Sequence, residues 1–130
     1  MTLVLDTSIL IALERKDKET LSKLETITEK YKSPPSITFI NLFEILLGIK
    51  LRQPRRYKEA IEFLERFDVL NTTDETAKIL AEIKIKYDKK GVILPLADLI
   101  IASLVIENKM ILLTKDKDFE KIEELKKEII

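Results

Sequence analysis

The chain has 130 residues, 45% hydrophobic and 35% charged, with 23 basic and 23 acidic side chains balancing to zero, two glycines, and neither cysteine nor histidine. That length and apolar content suffice for one packed core, and no apolar run reaches the roughly 18 residues of a membrane span. The missing residue types exclude a Ser-His-Asp triad, a thiol nucleophile and an ordinary zinc site, while glycines only at 48 and 91 exclude a GxGxxG turn or a P-loop.

Leu3-Val4-Leu5 is a short apolar run ending in Asp6-Thr7-Ser8, residue types that favour a helix N-cap, and Ile9, Leu10, Ala12 and Leu13 follow. This pattern predicts a strand feeding a helix. Apolar residues at 21, 24, 27 and 31 predict a second, amphipathic helix over 17–31, which Ser33-Pro34-Pro35 breaks. Ser36-Ile37-Thr38 reads as a second strand before an apolar helix over 39–51. Pro54 opens a fourth helix through Phe67, and Val69-Leu70 reads as a short strand.

Thr72 with Glu75 has the capping-box spacing at the head of a helix that closes on Gly91. Pro95 starts another helix through about residue 108, and Met110 to Leu113 reads as a buried strand ending in Thr114-Lys115-Asp116. The tail from Asp118 is expected to be helical, with a last strand at Ile129-Ile130. Short apolar strands separated by helices predict an α/β fold with a parallel sheet covered on both faces. No repeat, low-complexity segment or linker divides residues 1–130, so one domain is expected. Absent cysteines suit a reducing compartment, and the N-terminus lacks a basic leader or cleavage site, so the cytoplasm is the expected location.

Four carboxylates stand apart from the solvated helix faces. Asp98 is the one charge in residues 96–106, where nine of eleven side chains are apolar, and Glu44 is the one charge in residues 39–47. Taking an unpaired carboxylate out of water costs several kcal/mol, so each needs a cation, a metal or a raised pKa. Asp6 and Asp116 follow apolar strands closely, and ligands of open parallel sheets bind beyond the strands' carboxyl ends. Converging there, four acids without histidine or cysteine make a site for Mg²⁺ or Mn²⁺, and the matching substrate is a phosphodiester. Each acid also has a plainer reading. Asp6 suits an N-cap, Asp98 a helix N-terminus, Asp116 or Asp118 a turn, and Glu44 a buried pair with a lysine or arginine.

The segments Leu5-Asp6-Thr7-Ser8, Phe43-Glu44-Ile45-Leu46-Leu47-Gly48, Ala97-Asp98-Leu99-Ile100-Ile101-Ala102 and Thr114-Lys115-Asp116-Lys117-Asp118-Phe119 are spread in order over nearly the whole length of the chain. Together they resemble the PIN domain family, and within it the VapC-type toxins of bacterial and archaeal toxin–antitoxin pairs. The resemblance implies a three-layer fold, with a central parallel sheet of four to five short strands between helices, and metal-dependent endoribonuclease activity. It implies Asp6 and Asp98 as principal metal ligands and Glu44 and Asp116 as the further acids, with Asp116 preferred over Asp118. Ser8 and Thr114 match small polar positions that support the acids. The implied mechanism is in-line attack of a metal-activated water on RNA, which requires no side chain with a pKa near 7. A homodimer and an antitoxin partner are also implied.

With no net charge, attraction for nucleic acid has to be local. Lys50, Arg52, Arg55, Arg56 and Lys58 form a basic run free of acids, starting six residues beyond Glu44, and the first four are the candidate RNA-binding residues. Lys84, Lys86, Lys89 and Lys90 form a second group, interrupted by Asp88 and read as a solvated helix face. The rival readings are a PIN-type RNA-processing or quality-control nuclease without an antitoxin, and an inactive PIN-fold binding module. A phosphoacceptor receiver domain fits poorly, because Asp6 is followed by Thr-Ser rather than by a second acid.

Overall fold

A computed structural model describes all residues from Met1 to Ile130. Five short strands, β1 (Leu3–Leu5), β2 (Ser36–Thr38), β3 (Asp68–Leu70), β4 (Ile111–Thr114) and β5 (Lys127–Ile129), form one sheet in the order β3-β2-β1-β4-β5. Every adjacent pair is parallel, with Val4 against both Ser36 and Leu112 in the centre. Parallel neighbours need crossovers, and helices supply most of them. The chain passes through α1 (Thr7–Glu14) and α2 (Lys18–Thr28), then α3 (Phe39–Arg52) and α4 (Tyr57–Leu64), then α5 (Asp74–Lys89) and α6 (Leu96–Glu107). This is the parallel α/β sheet between helices that the patterning predicts. None of the helices is long and apolar enough to cross a membrane.

Alternation along the strands divides the core. Leu3, Leu5, Ile37 and Leu113 face one side and pack with Ile9 and Leu10 of α1, Ile45 and Ile49 of α3, and Ala60 and Leu64 of α4. Val4 and Leu112 face the other side and pack with Ile83 and Tyr87 of α5 and Leu99, Ala102 and Val105 of α6. Successive strand side chains point to opposite faces, so a strand of three apolar residues feeds two cores at once.

Several boundaries differ from the sequence reading. Helix α2 ends at Thr28, three residues early, and the chain leaves it through turns in which the Lys30 and Tyr31 amides donate to the Ile27 and Thr28 carbonyls. The segment after Pro54 starts as a 3₁₀ turn, Pro54–Arg56, before α4 takes over. The capping box of α5 is Thr73 with Thr76 rather than Thr72 with Glu75, and both threonine hydroxyls also donate to Glu107 at the end of α6. The tail forms a 3₁₀ turn, Lys117–Lys121, instead of a helix, because Phe119, Ile122 and Leu125 are drawn into the core on an irregular path before β5 begins at Lys127. Gly91 follows α5 with φ +71°, the left-handed closure expected of it.

Candidate metal centre

The chain runs outward from β1 through β2 to β3, then returns to place β4 on the opposite side of β1. The sheet's switch point therefore lies between β1 and β4, and ligands of open parallel sheets bind beyond the carboxyl ends of the strands at such a point. Asp6 directly follows β1, and Asp116 stands two residues beyond β4. Glu44 lies in the second turn of α3, which starts as β2 ends, and Asp98 lies in the first turn of α6.

Asp6 occupies the N-cap position of α1, yet its side chain makes no capping hydrogen bond. Its carbonyl accepts from Ile9 and Leu10, while the residue is 5% exposed and its carboxylate is held by side chains from other segments. Oδ2 accepts from Thr114 Oγ1 (2.7 Å) and Ser8 Oγ (3.1 Å), and Oδ1 accepts from Asn41 Nδ2 (3.2 Å). Thr114 Oγ1 in turn accepts from the Asp116 amide (3.0 Å), and Ser8 Oγ accepts from the Lys115 amide (3.0 Å). The two small hydroxyls thus bind the loop after β4 to the loop after β1. Glu44 accepts from Thr7 Oγ1 at 2.6 Å.

Asp98, Asp116 and Asp118 each offer a carboxylate oxygen within 4.8 Å of the others. Asp116 partly fits its plainer reading, since Oδ1 caps the following turn by accepting from the Asp118 amide (2.9 Å). Asp118 pairs with Lys121 at 3.4 Å, and its side chain is half exposed. Asp6, Glu44, Asp98 and Asp116 have no lysine or arginine within ion-pair distance. Burial above all, and then the charges of Asp116, Asp6, Glu44 and Asp118, together raise the pKa of Asp98 from 3.8 to about 6. Asp98 thus feels the other four carboxylates, and of the five only Asp118 has a cation of the protein beside it. Carboxylate oxygens without nitrogen or sulfur ligands fit a hard divalent cation.

The basic run divides on inspection. Arg52 and Arg56 line an open groove between α1 and α3, with Arg15, Gln53, Ile11, Ile45, Ile49 and the site acid Glu44. Arg56 is held there by Glu14 (3.0 Å) and by Gln53 (3.0 Å). Lys50 instead lies over the ring of Tyr57 (4.7 Å), and Arg55 is exposed outside that lining. The second basic group is largely spent on acids: Lys84 pairs with Asp88, Lys86 with Glu123 and Glu124, and Lys90 with Glu123. Sequence reasoning passed over Arg15, Thr7 and Asn41. Asn41 had one available signal, its three-residue spacing from Thr38, which is the spacing of a capping box.

Asp98, Asp116 and Asp118 within ligand distance of one another, with Asp6 and Glu44 close enough to act on Asp98, define an α/β domain with an acidic cluster where its strand order reverses. The chain belongs to the PIN domain family, whose model matches residues 3–125. It is 33% identical to Ribonuclease VapC of Rickettsia bellii (strain RML369-C) over 131 aligned residues, spanning 96% of this chain and 93% of that protein. Its fold is similar to a chain of VapBC2 from Rickettsia felis bound to a promoter DNA fragment, with a TM-score of 0.87, 24% identity and coverage of 100% and 99% of the two chains. It is also similar to a chain of DNA-bound VapBC from Salmonella typhimurium, with a TM-score of 0.84, 22% identity and coverage of 99% and 98%.

Proposed function

We propose that this chain is a single-domain, divalent-metal-dependent endoribonuclease and the toxin of a VapBC-type toxin–antitoxin pair. The observation that carries the reading is the uncompensated acidic centre, with Asp98 pushed up to about 6 by burial and by four neighbouring acids. Asp6, Glu44, Asp98 and Asp116 are the metal-holding and catalytic residues of this proposal, and Asp118 joins them by proximity. The chemistry that a bound Mg²⁺ or Mn²⁺ supplies is a more acidic water and relief of charge on the phosphodiester. Ser8 and Thr114 hold Asp6 against its neighbours' repulsion through neutral hydrogen bonds, and Thr7 does the same for Glu44.

Arg52 and Arg56, on the groove that reaches Glu44, are the residues placed to hold RNA phosphates. Lys50 and Arg55 lie outside the lining of that groove. Binding through such contacts weakens as salt rises. An antitoxin partner is supported by the 33%-identical relative being named Ribonuclease VapC and by the likeness to chains of VapBC complexes. A homodimer is supported by α3, where Phe39, Phe43, Leu47 and Leu51 form an apolar row between 45% and 74% exposed.

The test incubates purified protein with total cellular RNA in Mg²⁺, in Mn²⁺ or in chelator, and maps the new ends. Discrete cuts that require metal are expected. Absence of cuts under every condition overturns the nuclease reading in favour of a binding module.

A further inference from the structure

Helices α3 and α5 are closed at their N-termini by the same device with different residues. In α5, Thr73 is the cap and Thr76 Oγ1 accepts from the Thr73 amide (2.8 Å), so a hydroxyl at the third helical position is enough. In α3, Thr38 is the cap and the third position holds Asn41, whose Oδ1 accepts from the Thr38 amide (3.0 Å) and from Thr38 Oγ1 (2.7 Å). The cap therefore uses only half of this side chain. Because the Thr38 amide can only donate, the carbonyl oxygen of Asn41 has to face it, and the NH₂ group faces the opposite way.

That NH₂ group spends both hydrogens on the acidic centre. One reaches Asp6 Oδ1 (3.2 Å) and the other Thr7 Oγ1 (3.0 Å). Thr7 receives there, so its own hydrogen is directed to Glu44 Oε1 (2.6 Å). Asn41 is fully buried, and all its side-chain hydrogen-bonding groups are engaged. An acid from the end of β1 and an acid from the second turn of α3 are thus referred to one amide, itself anchored on backbone at the end of β2.

We propose that Asn41 is a positioning residue that fixes Asp6 directly and Glu44 through Thr7 in the spacing a divalent cation requires. The proposal rests on the metal-dependent reading of the centre and assigns a task to a residue that touches neither ion nor substrate. Groups that orient metal ligands typically contribute about 10–100-fold to affinity or activity. Two like charges held by neutral donors alone also depend on those donors for their separation, since no lysine or arginine steadies either of them.

The discriminating variant is Asn41→Thr, which restores the arrangement already present at Thr76 and removes the arm toward Asp6 and Thr7. Mn²⁺ binding to the purified protein, read by titration calorimetry, is compared with thermal unfolding of the same samples. The expected result is Mn²⁺ affinity lower by about tenfold at 25 °C with cooperative unfolding retained, and a parallel loss in RNA cleavage. A loss of packing alone would lower Tm and leave the affinity of the folded protein unchanged. Thr7→Val, which deletes the relay hydroxyl at constant shape, is expected to weaken Mn²⁺ binding by a smaller factor, with little further loss in the double variant. If Asn41→Thr binds Mn²⁺ as the parent does while Asp98→Asn does not, this inference falls and the nuclease reading stands. If the parent protein itself binds no Mn²⁺, both fall. Should Asn41→Thr not fold, Thr7→Val decides, and parental Mn²⁺ affinity in that variant overturns the inference.

Discussion

Two regions of the molecule concentrate acids, and they treat them in opposite ways. Near the C-terminal end of α5, Glu123 and Glu124 meet Lys86, Lys90 and the Tyr87 hydroxyl, so that each acid has a cation within 3.5 Å. At the switch point of the sheet, Asp6, Glu44, Asp98 and Asp116 meet hydroxyls, amides and one another. The pKa shifts follow the surroundings. The Lys86 hydrogen bond lowers Glu123, and for Glu124 the cost of burial is outweighed by hydrogen bonds from Tyr87 and Lys86, whereas burial and four acids raise Asp98. The difference is one of charge balance: the neutralised cluster ties helix to tail, while the other leaves its acids to raise the cost of ionising Asp98.

The largest break in this contrast comes from Asp98→Asn, expected to reduce metal-dependent RNA cleavage by more than about 100-fold while the protein stays folded. End-mapped cleavage beside circular dichroism checks it, and undiminished cleavage would remove Asp98 from the centre. Next in size is the lysine-rich cluster, where Tyr87→Phe deletes a hydroxyl that donates to Glu124 (2.6 Å) and accepts from the Glu123 amide (2.8 Å). Leaving that amide without its acceptor is expected to cost about 1–2 kcal/mol in denaturant unfolding, with cleavage unchanged.

Acid should separate the two regions by sign. The folded pKa of Asp98, about 6, lies above its ordinary 3.8, so its contribution is fully present below about pH 4 and is lost as pH rises through 6. With solvent screening allowed for, this is on the order of 1 kcal/mol, and Asp98→Asn should remove it from a stability–pH profile taken in chelator. Glu123 and Glu124 are shifted down, so their contribution is present above the ordinary 4.5 and is lost as pH falls through their folded values. The smallest effect is expected from Lys84→Ala, which breaks an exposed pair with Asp88 (2.7 Å) and should move stability by only a few tenths of a kcal/mol.

The acids were legible in the sequence because charge is conspicuous inside an apolar run, as Asp98 is within residues 96–106 and Glu44 within residues 39–47. Strand ends located Asp6 and Asp116 by a rule of sheet topology that needs no side-chain detail. Their supporting groups were harder to read. Asn41 and Thr7 are neutral residues at helix starts, where capping alone accounts for such types, and their contacts join positions 34 to 37 residues apart. The capping box of α5 was misplaced by one residue because Thr72 and Thr73 offer the same hydroxyl, and the choice falls to the threonine that also reaches Glu107. The tail from Asp118, expected to be helical, instead follows an irregular path because Phe119, Ile122 and Leu125 are buried in the core.

The apolar row on α3 has a geometric corollary. Its members are four residues apart, and four residues overshoot one helical turn by about 40°, so the row winds around the cylinder instead of running along it. A flat or strictly parallel surface can meet only part of such a spiral. Two identical helices that interlock along rows of this pitch cross at about 50°, so a twofold mate built on α3 would approach obliquely rather than side by side.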